Sequence, residues 1–322
     1  MTPDGARPPG IVCVGGAVLD RHLHLLAPAV PGTSNPARAS SSSGGVARNV
    51  AENLALLGVP VRLVSRVGDD DAGRDLLAAL TARGVDVGGV EVVAGQQTAQ
   101  YVAVLDPDGE LVLGAAAMQV LEGVDVAALD AAWPGPGRWL LADCNQPARV
   151  LAAARRRARA DGTCLAVDAV STPKVTRLAR GSGDEGPDGE GLTGIALFFG
   201  NLSEARALLR ALGRRADGDV PQAAGALVRA GAGAVVMTLG AQGVVIADAT
   251  GIRAVPAPPT HVVDVTGAGD ALVAATLARL TVGAPLDEAV RVGLAAAALT
   301  VADARSVRPD LAARLASSTP PA

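Results

Sequence analysis

The stretch Asp264-Val-Thr-Gly-Ala-Gly-Asp270 immediately precedes a helical run of apolar and small residues, 271–280. Small residues at 267–269 leave backbone N–H groups uncovered at the N-terminus of that helix, where they and the helix dipole attract an anion such as a transferring phosphoryl group. Asp270 falls in the first helical turn beside this anion hole, and a carboxylate there can take the proton of a substrate hydroxyl. A plain helix start capped by Thr266 is the alternative explanation of the same residues.

Upstream of this segment, short apolar runs bounded by turn residues alternate with longer helical patterns, which is typical of a parallel α/β sheet. The expected strands are Ile11–Gly15, Val61–Val64, Arg138–Ala142, Cys164–Asp168, Ile195–Phe199 and Ala234–Thr238. The expected helices are Val46–Leu57, Ala72–Arg83, Pro147–Ala160, Ser203–Leu212 and Pro221–Ala230. Successive β-α-β units favour right-handed crossovers and helices on both faces of the sheet.

Two stretches interrupt the alternation. Residues 21–43 are polar and rich in Pro, Ser and Gly, and residues 98–114 have the pattern of a hairpin around a turn at 106–109. We expect segments of about 21–43 and 92–118 to form a small β lid beside the sheet.

Two further features lie within what we predict to be a single domain, 1–322. A second hairpin is expected from Gly243–Ala247 to Ile252–Val255. The segment 181–191 consists almost entirely of glycines, acids and other helix-breaking residues, which predicts a mobile loop.

Composition excludes several classes of protein. The chain has 322 residues, 49% of them hydrophobic, and a net charge of −4, so it can bury a large core but lacks the cationic surface that nucleic-acid binding requires. Its cysteines, Cys13, Cys144 and Cys164, are too scattered for a disulfide framework or a zinc site. The sequence has no recognisable secretion signal and no apolar run long enough for a membrane span, so we expect a cytoplasmic protein without a membrane partner.

Two other motifs combine polar side chains with helix starts. Ser41-Ser-Ser-Gly-Gly45 runs into Val46-Ala-Arg-Asn49, which places Asn49 in a first helical turn where it can bind a hydroxyl; a flexible polar loop explains the pattern equally well. Asn201-Leu-Ser-Glu204 follows an expected strand, so that an amide and a carboxylate can orient Mg²⁺ and its waters, although an ordinary helix start has the same composition.

A glycine turn, Thr238-Leu-Gly-Ala-Gln-Gly243, closes the next expected strand and can lie along a nucleotide, but it is unremarkable by itself. The sequence contains no Walker A motif, which excludes a P-loop NTPase. It also lacks the glycine fingerprint of dinucleotide-binding dehydrogenases after the first strand. His22, His24 and His261 show no metal-ligand spacing, and the first two fit a strand of the lid.

Taken in order, these motifs resemble the PfkB, or ribokinase-like, carbohydrate kinase family. The resemblance covers nearly the whole chain, and five ordered motifs are far more specific than any one of them. They are Asp20, expected at the end of the first strand, Gly44-Gly45 with Asn49, Asn201-x-x-Glu204, Thr238-x-Gly240-x-x-Gly243 and Asp264-x-Thr266-Gly-Ala-Gly-Asp270.

The resemblance implies a three-layer αβα sandwich, Rossmann-like with a mostly parallel sheet and a small β lid, and an enzyme that uses ATP and Mg²⁺ with K⁺ as activator. In such kinases Asp270 would be the general base, and Gly267, Ala268 and Gly269 the anion hole. The acceptor hydroxyls would be held by Asp20, Gly44, Gly45 and Asn49. The nucleotide and its metal would be served by Asn201, Glu204 (to Mg²⁺ through water), Thr238, Gly240 and Gly243. The monovalent cation would be bound near Asp264 and Thr266.

Within that family, the chain is most similar to members that phosphorylate the ribose 5′-hydroxyl of pseudouridine. The similarity is carried by Ser34-Asn35-Pro36, 44–49 with 52–58, Ala142-Asp-Cys-Asn145, and Val167-Asp-Ala-Val-Ser171 with Lys174. It implies that Ser34, Asn35 and Asn145 bind the acceptor, together with Gln119 and Arg48. The sequence departs from that group at Phe198-Phe-Gly200, at Ala169 and at Ala116-Ala117.

Three alternatives remain open: a kinase of another nucleoside or of a simple sugar such as ribose or fructose, a non-catalytic ligand-binding homologue, and a dehydrogenase. The intact Asp270 motif favours a kinase over a binding protein. An open lid also exposes strand edges that pair readily with a second copy, so we expect a homodimer.

Overall fold

The computed structural model describes residues 10–180 and 191–318. In chain order its strands are β1 (Ile11–Val14), β2 (Val18–Leu25), β3 (Ala37–Gly44), β4 (Val61–Gly68), β5 (Asp86–Val93), β6 (Gln100–Leu105), β7 (Leu111–Ala117), β8 (Trp139–Asp143), β9 (Cys164–Asp168), β10 (Leu197–Asn201), β11 (Ala234–Thr238), β12 (Val244–Asp248) and β13 (Gly251–Val255).

The helices of the same residues follow the amphipathic patterns between the strands. They are α1 (Val46–Leu56), α2 (Asp71–Ala82), α3 (Val126–Ala131), α4 (Ala148–Asp161), α5 (Thr172–Val175), α6 (Leu202–Ala211), α7 (Val220–Arg229), α8 (Ala268–Thr281), α9 (Leu286–Val301) and α10 (Leu311–Ser318). Short 3-10 turns lie at Gln119–Gly123, Thr176–Ala179 and Gly240–Gln242.

The larger of the two sheets has the strand order β13-β12-β11-β10-β9-β8-β1-β4-β5. All neighbouring strands from β5 to β11 pair in parallel, and the β12–β13 hairpin continues the sheet in antiparallel fashion. Both faces are covered: Val12 and Val14 of β1 pack in one core cluster and Ile11 and Cys13 in the other. The expected three-layer αβα fold with a mostly parallel sheet is therefore confirmed.

The second sheet, which we call the lid, has the strand order β3-β2-β6-β7. The β2–β6 pair is parallel and the other two pairs are antiparallel. Residues 21–43 thus supply most of one hairpin, and the expected 98–114 hairpin is formed by β6 and β7. His22 and His24 lie on β2, as expected for a lid strand.

Three details differ from the sequence-based expectations. Asp20 lies inside β2 and not at the end of the first strand, because β1 ends at Val14 and Gly15-Gly16 turns the chain into the lid. Residues 92–93 belong to β5 of the main sheet, so the second lid segment begins its first strand only at Gln100. The sequence pattern does not predict β5, because its Gly88-Gly89 pair resembles a turn.

Two expectations concern other parts of the chain. Residues 181–190 of the expected mobile loop lie outside the described residues. Among the helices that are described, none is both long and apolar enough to cross a lipid bilayer.

Candidate active site

Most of the candidate residues meet at the carboxyl edge of the main sheet. Strands β1, β8, β9 and β10 end at this edge, and helices α1 and α8, which pack against each other, begin there. In open α/β sheets, ligands bind at this edge. The site therefore draws its residues from segments that are far apart in sequence.

The N-terminus of α8 begins with one tightly packed glycine and one open glycine. Gly267 adopts φ +79°, and a side chain at this position would collide with the carbonyl of Ser306, so only glycine fits. Above Gly269, by contrast, nothing lies within 4 Å of the position that a Cβ would occupy. The N–H groups of the first turn lack carbonyl partners four residues earlier in the helix, although that of Ala268 donates a 3.3 Å hydrogen bond to the carbonyl of Val265. The open position at Gly269 leaves space in which an anion can bind.

Asp270 lies in the first turn of α8 and is joined to α1. Its Oδ2 accepts a hydrogen bond of 2.7 Å from Nδ2 of Asn49. Burial raises the pKa of Asp270 to about 7, and the charges of Asp143 and Asp20 add to this effect, whereas the Asn49 hydrogen bond and the charge of Arg48 oppose it. A carboxyl group with a pKa near neutrality is well matched to general-base catalysis.

Arg48 supplies a buried positive charge beside these acids. It forms an ion pair with Glu52 one turn along α1, and its Nη1 donates to the carbonyl of Ser43 at 3.1 Å and to the side chain of Asn49. The guanidinium thus holds the amide of Asn49 in the orientation that donates to Asp270. The sequence suggested Arg48 as an acceptor-binding residue, and in the structure its contacts fix Asn49.

Asp20 lies on the lid strand β2 and reaches the site from there. Gly44, which ends β3, and Gly45, which follows it, lie so close to neighbouring protein atoms that neither position has room for a side chain. A side chain at Gly44 would collide with the carboxylate of Asp20, and one at Gly45, which adopts φ +95°, would collide with the carbonyl of Gly16. Burial raises the pKa of Asp20, while His22 and Arg48 lower it. The glycine pair therefore brings the lid strand, the first turn and the start of α1 together.

Asp143 is a central residue of the site for which sequence reasoning proposed no role. Its side chain is fully buried and accepts hydrogen bonds from the backbone N–H groups of Gly16 at 2.8 Å, Ala47 at 3.0 Å and Asn145 at 2.9 Å. Burial raises its pKa, and these hydrogen bonds lower it. An acid directly after a buried parallel strand was the available signal, because such strands end at the ligand-binding edge.

Asn145 lies in the turn after β8 and contacts the one lysine of the chain. Its Oδ1 accepts a hydrogen bond from Nζ of Lys174, and the residue is 5% exposed. Burial lowers the pKa of Lys174, and the neighbouring charge of Asp143 raises it. Asn145 therefore lies at the carboxyl edge of the main sheet, where its amide is held by Lys174.

Asp168 ends β9 and lies against a strained turn. Burial raises its pKa well above the ordinary value, with Asp270 as the next cause. Val170 adopts φ +62°, and the N–H of Ser171 donates to the carbonyl of Ala169 at 2.7 Å, which closes a three-residue turn. A positive φ is costly for a β-branched residue. The turn directs the chain into α5, where Lys174 meets Asn145.

Asn201 and Glu204 form a capping box at the start of α6. The N–H of Asn201 donates to Oε2 of Glu204 at 2.8 Å, and the N–H of Glu204 donates to Oδ1 of Asn201 at 3.0 Å. These two hydrogen bonds are those of an ordinary helix start, which is the alternative explanation of this motif given above. Burial raises the pKa of Glu204, and the charge of Glu204 helps to raise that of Asp168, so the two carboxyl groups lie near each other.

The remaining nucleotide and cation candidates lie in loops next to this edge. Thr238 ends β11, and Gly240 begins the following 3-10 turn, where nothing lies within 4 Å of the position that a Cβ on Gly240 would occupy. Gly243 packs against the β13 backbone. Oδ1 of Asp264 accepts the N–H of Thr266 at 2.8 Å, which forms a small turn ahead of α8.

Ser34 and Asn35 are not brought to this cluster. Ser34 and Asn35 occupy the tip of the β2–β3 hairpin, beyond Leu25, which is about 16 Å along β2 from Asp20 at the rise of an extended strand. The amide of Asn35 bonds to Val30 and Thr33, within its own loop. Gln119 is exposed at the end of the lid. The observed contacts of Asn35 are thus those of a turn residue.

A resident metal site is not evident in residues 10–180 and 191–318, where no group of three or more His, Cys, Asp or Glu side chains is arranged to hold an ion.

Comparison with known proteins identifies the family. A model of the pfkB family of carbohydrate kinases matches residues 9–311. The chain belongs to this family. This pfkB-family chain is 30% identical over 283 residues to pseudouridine kinase of Escherichia coli (strain K12), and the alignment covers 86% of each protein.

Solved structures show the same fold. A carbohydrate kinase from Agrobacterium tumefaciens has a TM-score of 0.76 and 32% identity, with 95% of both chains covered. A ribokinase from Arabidopsis thaliana, complexed with ribose and ATP, has a TM-score of 0.77 and 22% identity, with 96% of this chain and 99% of that chain covered. Membership of the pfkB family makes this chain a phosphotransferase that acts on a hydroxyl group.

Proposed function

We propose that this chain is an ATP-dependent kinase that transfers the γ-phosphate to the ribose 5′-hydroxyl of pseudouridine, with Asp270 as the general base. The observation that carries the proposal is the placement of Asp270, whose pKa is about 7, at the open N-terminus of α8 and in hydrogen-bond contact with Asn49. A helix cap alone needs no carboxyl group that has a raised pKa and faces another polar side chain.

The proposed proton transfer uses groups that the fold already holds in place. Asp270 accepts the proton of the acceptor hydroxyl while that oxygen attacks the γ-phosphate, the bond from the γ-phosphorus to the β–γ bridging oxygen breaks and ADP leaves. Asn49 orients the accepting carboxylate. The first-turn N–H groups at Gly267, Ala268 and Gly269 stabilise the negative charge of the transferring phosphoryl group. Arg48 offsets the accumulated negative charge of Asp20 and Asp270.

The residues present also suit a bound nucleotide. The open space at Gly240 and Gly269 leaves room along the path from the β11 turn to the start of α8. Asp168 and Glu204 are the carboxyl groups that would hold Mg²⁺, directly or through water, and when bound this ion neutralises charge on the phosphates. We further propose that the Asp264–Thr266 turn binds K⁺, since a cation there would order the adjoining anion hole.

The acceptor side of the proposal rests on Asp20, Asn49 and Asn145, which supply carboxylate and amide groups at the sheet edge. Similarity to pseudouridine kinase at 30% identity supports pseudouridine. A second candidate is another nucleoside or a simple sugar. It is favoured by Ala116-Ala117 in the lid and by the confinement of the Asn35 amide to its own loop.

A phosphorylation screen tests the proposal. The purified protein is given ATP and Mg²⁺ with pseudouridine, uridine, adenosine, ribose or fructose, and ADP release is measured together with the mass of the product. Pseudouridine 5′-phosphate as the preferred product supports the proposal. Preference for another acceptor supports the kinase activity but contradicts the assignment of pseudouridine as the substrate. Binding of an acceptor without turnover indicates a non-catalytic homologue.

We also propose a homodimer formed through the lid. The strand β7 lies at the edge of the lid sheet and exposes Leu111, Val112 and Leu113, which are 57%, 48% and 60% exposed. An exposed apolar edge strand readily pairs with another strand. Light scattering on the purified protein gives its mass, and a lysine in place of Leu113 should shift a dimer toward the monomer.

A further inference from the structure

Arg177 connects the lid to the turn that carries Asn145. Its Nη1 donates to the carbonyl of Asn145 at 2.6 Å and to that of Gln146 at 3.1 Å, and its Nη2 donates to Oε1 of Glu122 at 2.5 Å. One guanidinium therefore bridges two segments that are otherwise separate in sequence. We call the 3-10 turn Gln119–Gly123, which follows β7, the lid stem.

The lid stem is fixed to the base of the lid by a small apolar core. Val120 and Leu121 of the stem are buried with Val18 and Ala99, close to where β2 and β6 begin. Val18 precedes Asp20 by two residues on β2. A displacement of the lid base therefore carries the lid stem with it, because close-packed side chains transmit displacement.

The Asn145 turn, in contrast, has few side-chain anchors of its own. Gln146 is fully buried, yet neither polar atom of its side chain has a hydrogen-bond partner among the described residues. Besides the hydrogen bond that Lys174 donates to the side chain of Asn145, the turn is held through its backbone, by Asp143 at the N–H of Asn145 and by Arg177 at the two carbonyls. Arg177 is thus one of the main contacts that fix the position of Asn145.

We propose that Arg177 and Glu122 are positioning residues that couple the lid stem to Asn145, so that the position of the lid sets the fit of the acceptor. This inference rests on the proposed function, in which Asn145 binds the acceptor. The guanidinium suits this role because its planar fork can bond a carboxylate and backbone carbonyls at the same time. Arg177 and Glu122 act through Asn145 and not on the reacting atoms.

The kinetic test uses Glu122→Gln, which keeps the shape of the side chain and removes its charge. The ion pair is partly exposed, so we expect a KM for the acceptor about two- to fivefold higher, with kcat and the KM for ATP unchanged. Arg177→Met also removes the contacts to both carbonyls and should raise the acceptor KM further. Asp130→Asn is the matched control, because it breaks an exposed Asp130–Arg157 ion pair remote from the site and should change neither constant.

A second measurement does not depend on activity. Hydrogen exchange, followed by mass spectrometry, compares the wild type with Glu122→Gln. Coupling predicts faster exchange in the lid stem and also in residues 144–147, with no change in α8. The proposal is overturned if the acceptor KM of Glu122→Gln equals that of the wild type, or if the faster exchange remains confined to the lid stem.

The two tests also separate this inference from the proposed function. A wild-type protein that phosphorylates no acceptor contradicts the proposed function, and the exchange measurement then decides the coupling by itself. If the wild type is a kinase but Glu122→Gln leaves the exchange of residues 144–147 unchanged, the proposed function stands and the proposed coupling is contradicted.

Discussion

The amide of Asn49 donates a 2.7 Å hydrogen bond to the carboxylate of Asp270, although 221 residues separate the two in sequence. This contact joins the start of α1 to the start of α8. It orients the proposed base and, since it favours the charged form of the carboxyl group, it opposes the increase in pKa that burial causes.

Replacing Asp270 by asparagine tests the base directly. We expect Asp270→Asn to fold and bind ATP as the wild type does and to lose about 10²- to 10⁴-fold in kcat, which is the usual contribution of general-base catalysis. Steady-state kinetics and a nucleotide-binding titration measure both properties. Asp217→Asn, at an exposed ion pair, is the control and should keep full activity. A variant at position 270 that retains most of its turnover would remove Asp270 from the mechanism.

The pH dependence of the reaction should report the same group. Because the base must be deprotonated and its pKa is about 7, kcat/KM should fall as the pH drops below neutrality. Asn49→Ala removes a hydrogen bond that lowers this pKa, so the midpoint should move to higher pH. The measurement is a pH profile of kcat/KM for both proteins. An unchanged or lower midpoint in Asn49→Ala would contradict the assigned hydrogen bond.

Folding stability should depend on the same carboxyl group. The pKa of Asp270 in the folded protein, about 7, exceeds its ordinary value of 3.8, so the folded state binds this proton more tightly than the unfolded state. The contribution of Asp270 to stability is therefore lost as the pH rises from about 4 to about 7. Asp270→Asn cannot ionise and should have the higher midpoint of urea unfolding at pH 8. A lower midpoint at pH 8 counts against a poorly solvated, ionised carboxylate at this position.

Monovalent ions should affect the rate through the loop before α8. If the turn of Asp264 and Thr266 binds K⁺, potassium should raise the rate above that in sodium or in a bulky organic cation. Initial rates at constant ionic strength and saturating Mg²⁺ measure this effect. Asp264→Asn should reduce the response to potassium. Equal rates in all three cations would argue against a monovalent site.

Acceptor selectivity should depend on Asn145 more than on Asn35. Pseudouridine carries an N–H donor on its base that uridine lacks, and a site that pairs this donor leaves an acceptor unsatisfied when uridine binds, at a cost of about 1–3 kcal/mol. We expect kcat/KM for pseudouridine to exceed that for uridine by at least about tenfold. Asn145→Ala should weaken acceptor binding, while Asn35→Ala tests whether the lid tip reaches the base. A smaller preference in Asn35→Ala would show that it does, and ribose or uridine as the better substrate would exclude the pseudouridine assignment.

The sequence predicts local structure better than it predicts long-range contacts. Strands β9 and β11 have the bounds expected from their apolar runs, because a strand buried on both faces needs a continuous run. The hydrogen-bond partners of Asp143 could not be predicted, since Gly16 and Ala47 lie 127 and 96 residues away and leave no local pattern. The same limit applies to Arg177, whose partners belong to two other segments.

The position of α8 in the chain also has a consequence for synthesis. The ribosome delivers the strands of both sheets, Asp20 and Asn49 before it reaches Asp270, because the last strand ends at Val255. Domains begin to fold from the N-terminus while translation continues. No incomplete chain that stops short of residue 270 contains both members of the Asn49–Asp270 pair, so termination before that residue cannot yield a product able to consume ATP by the proposed route.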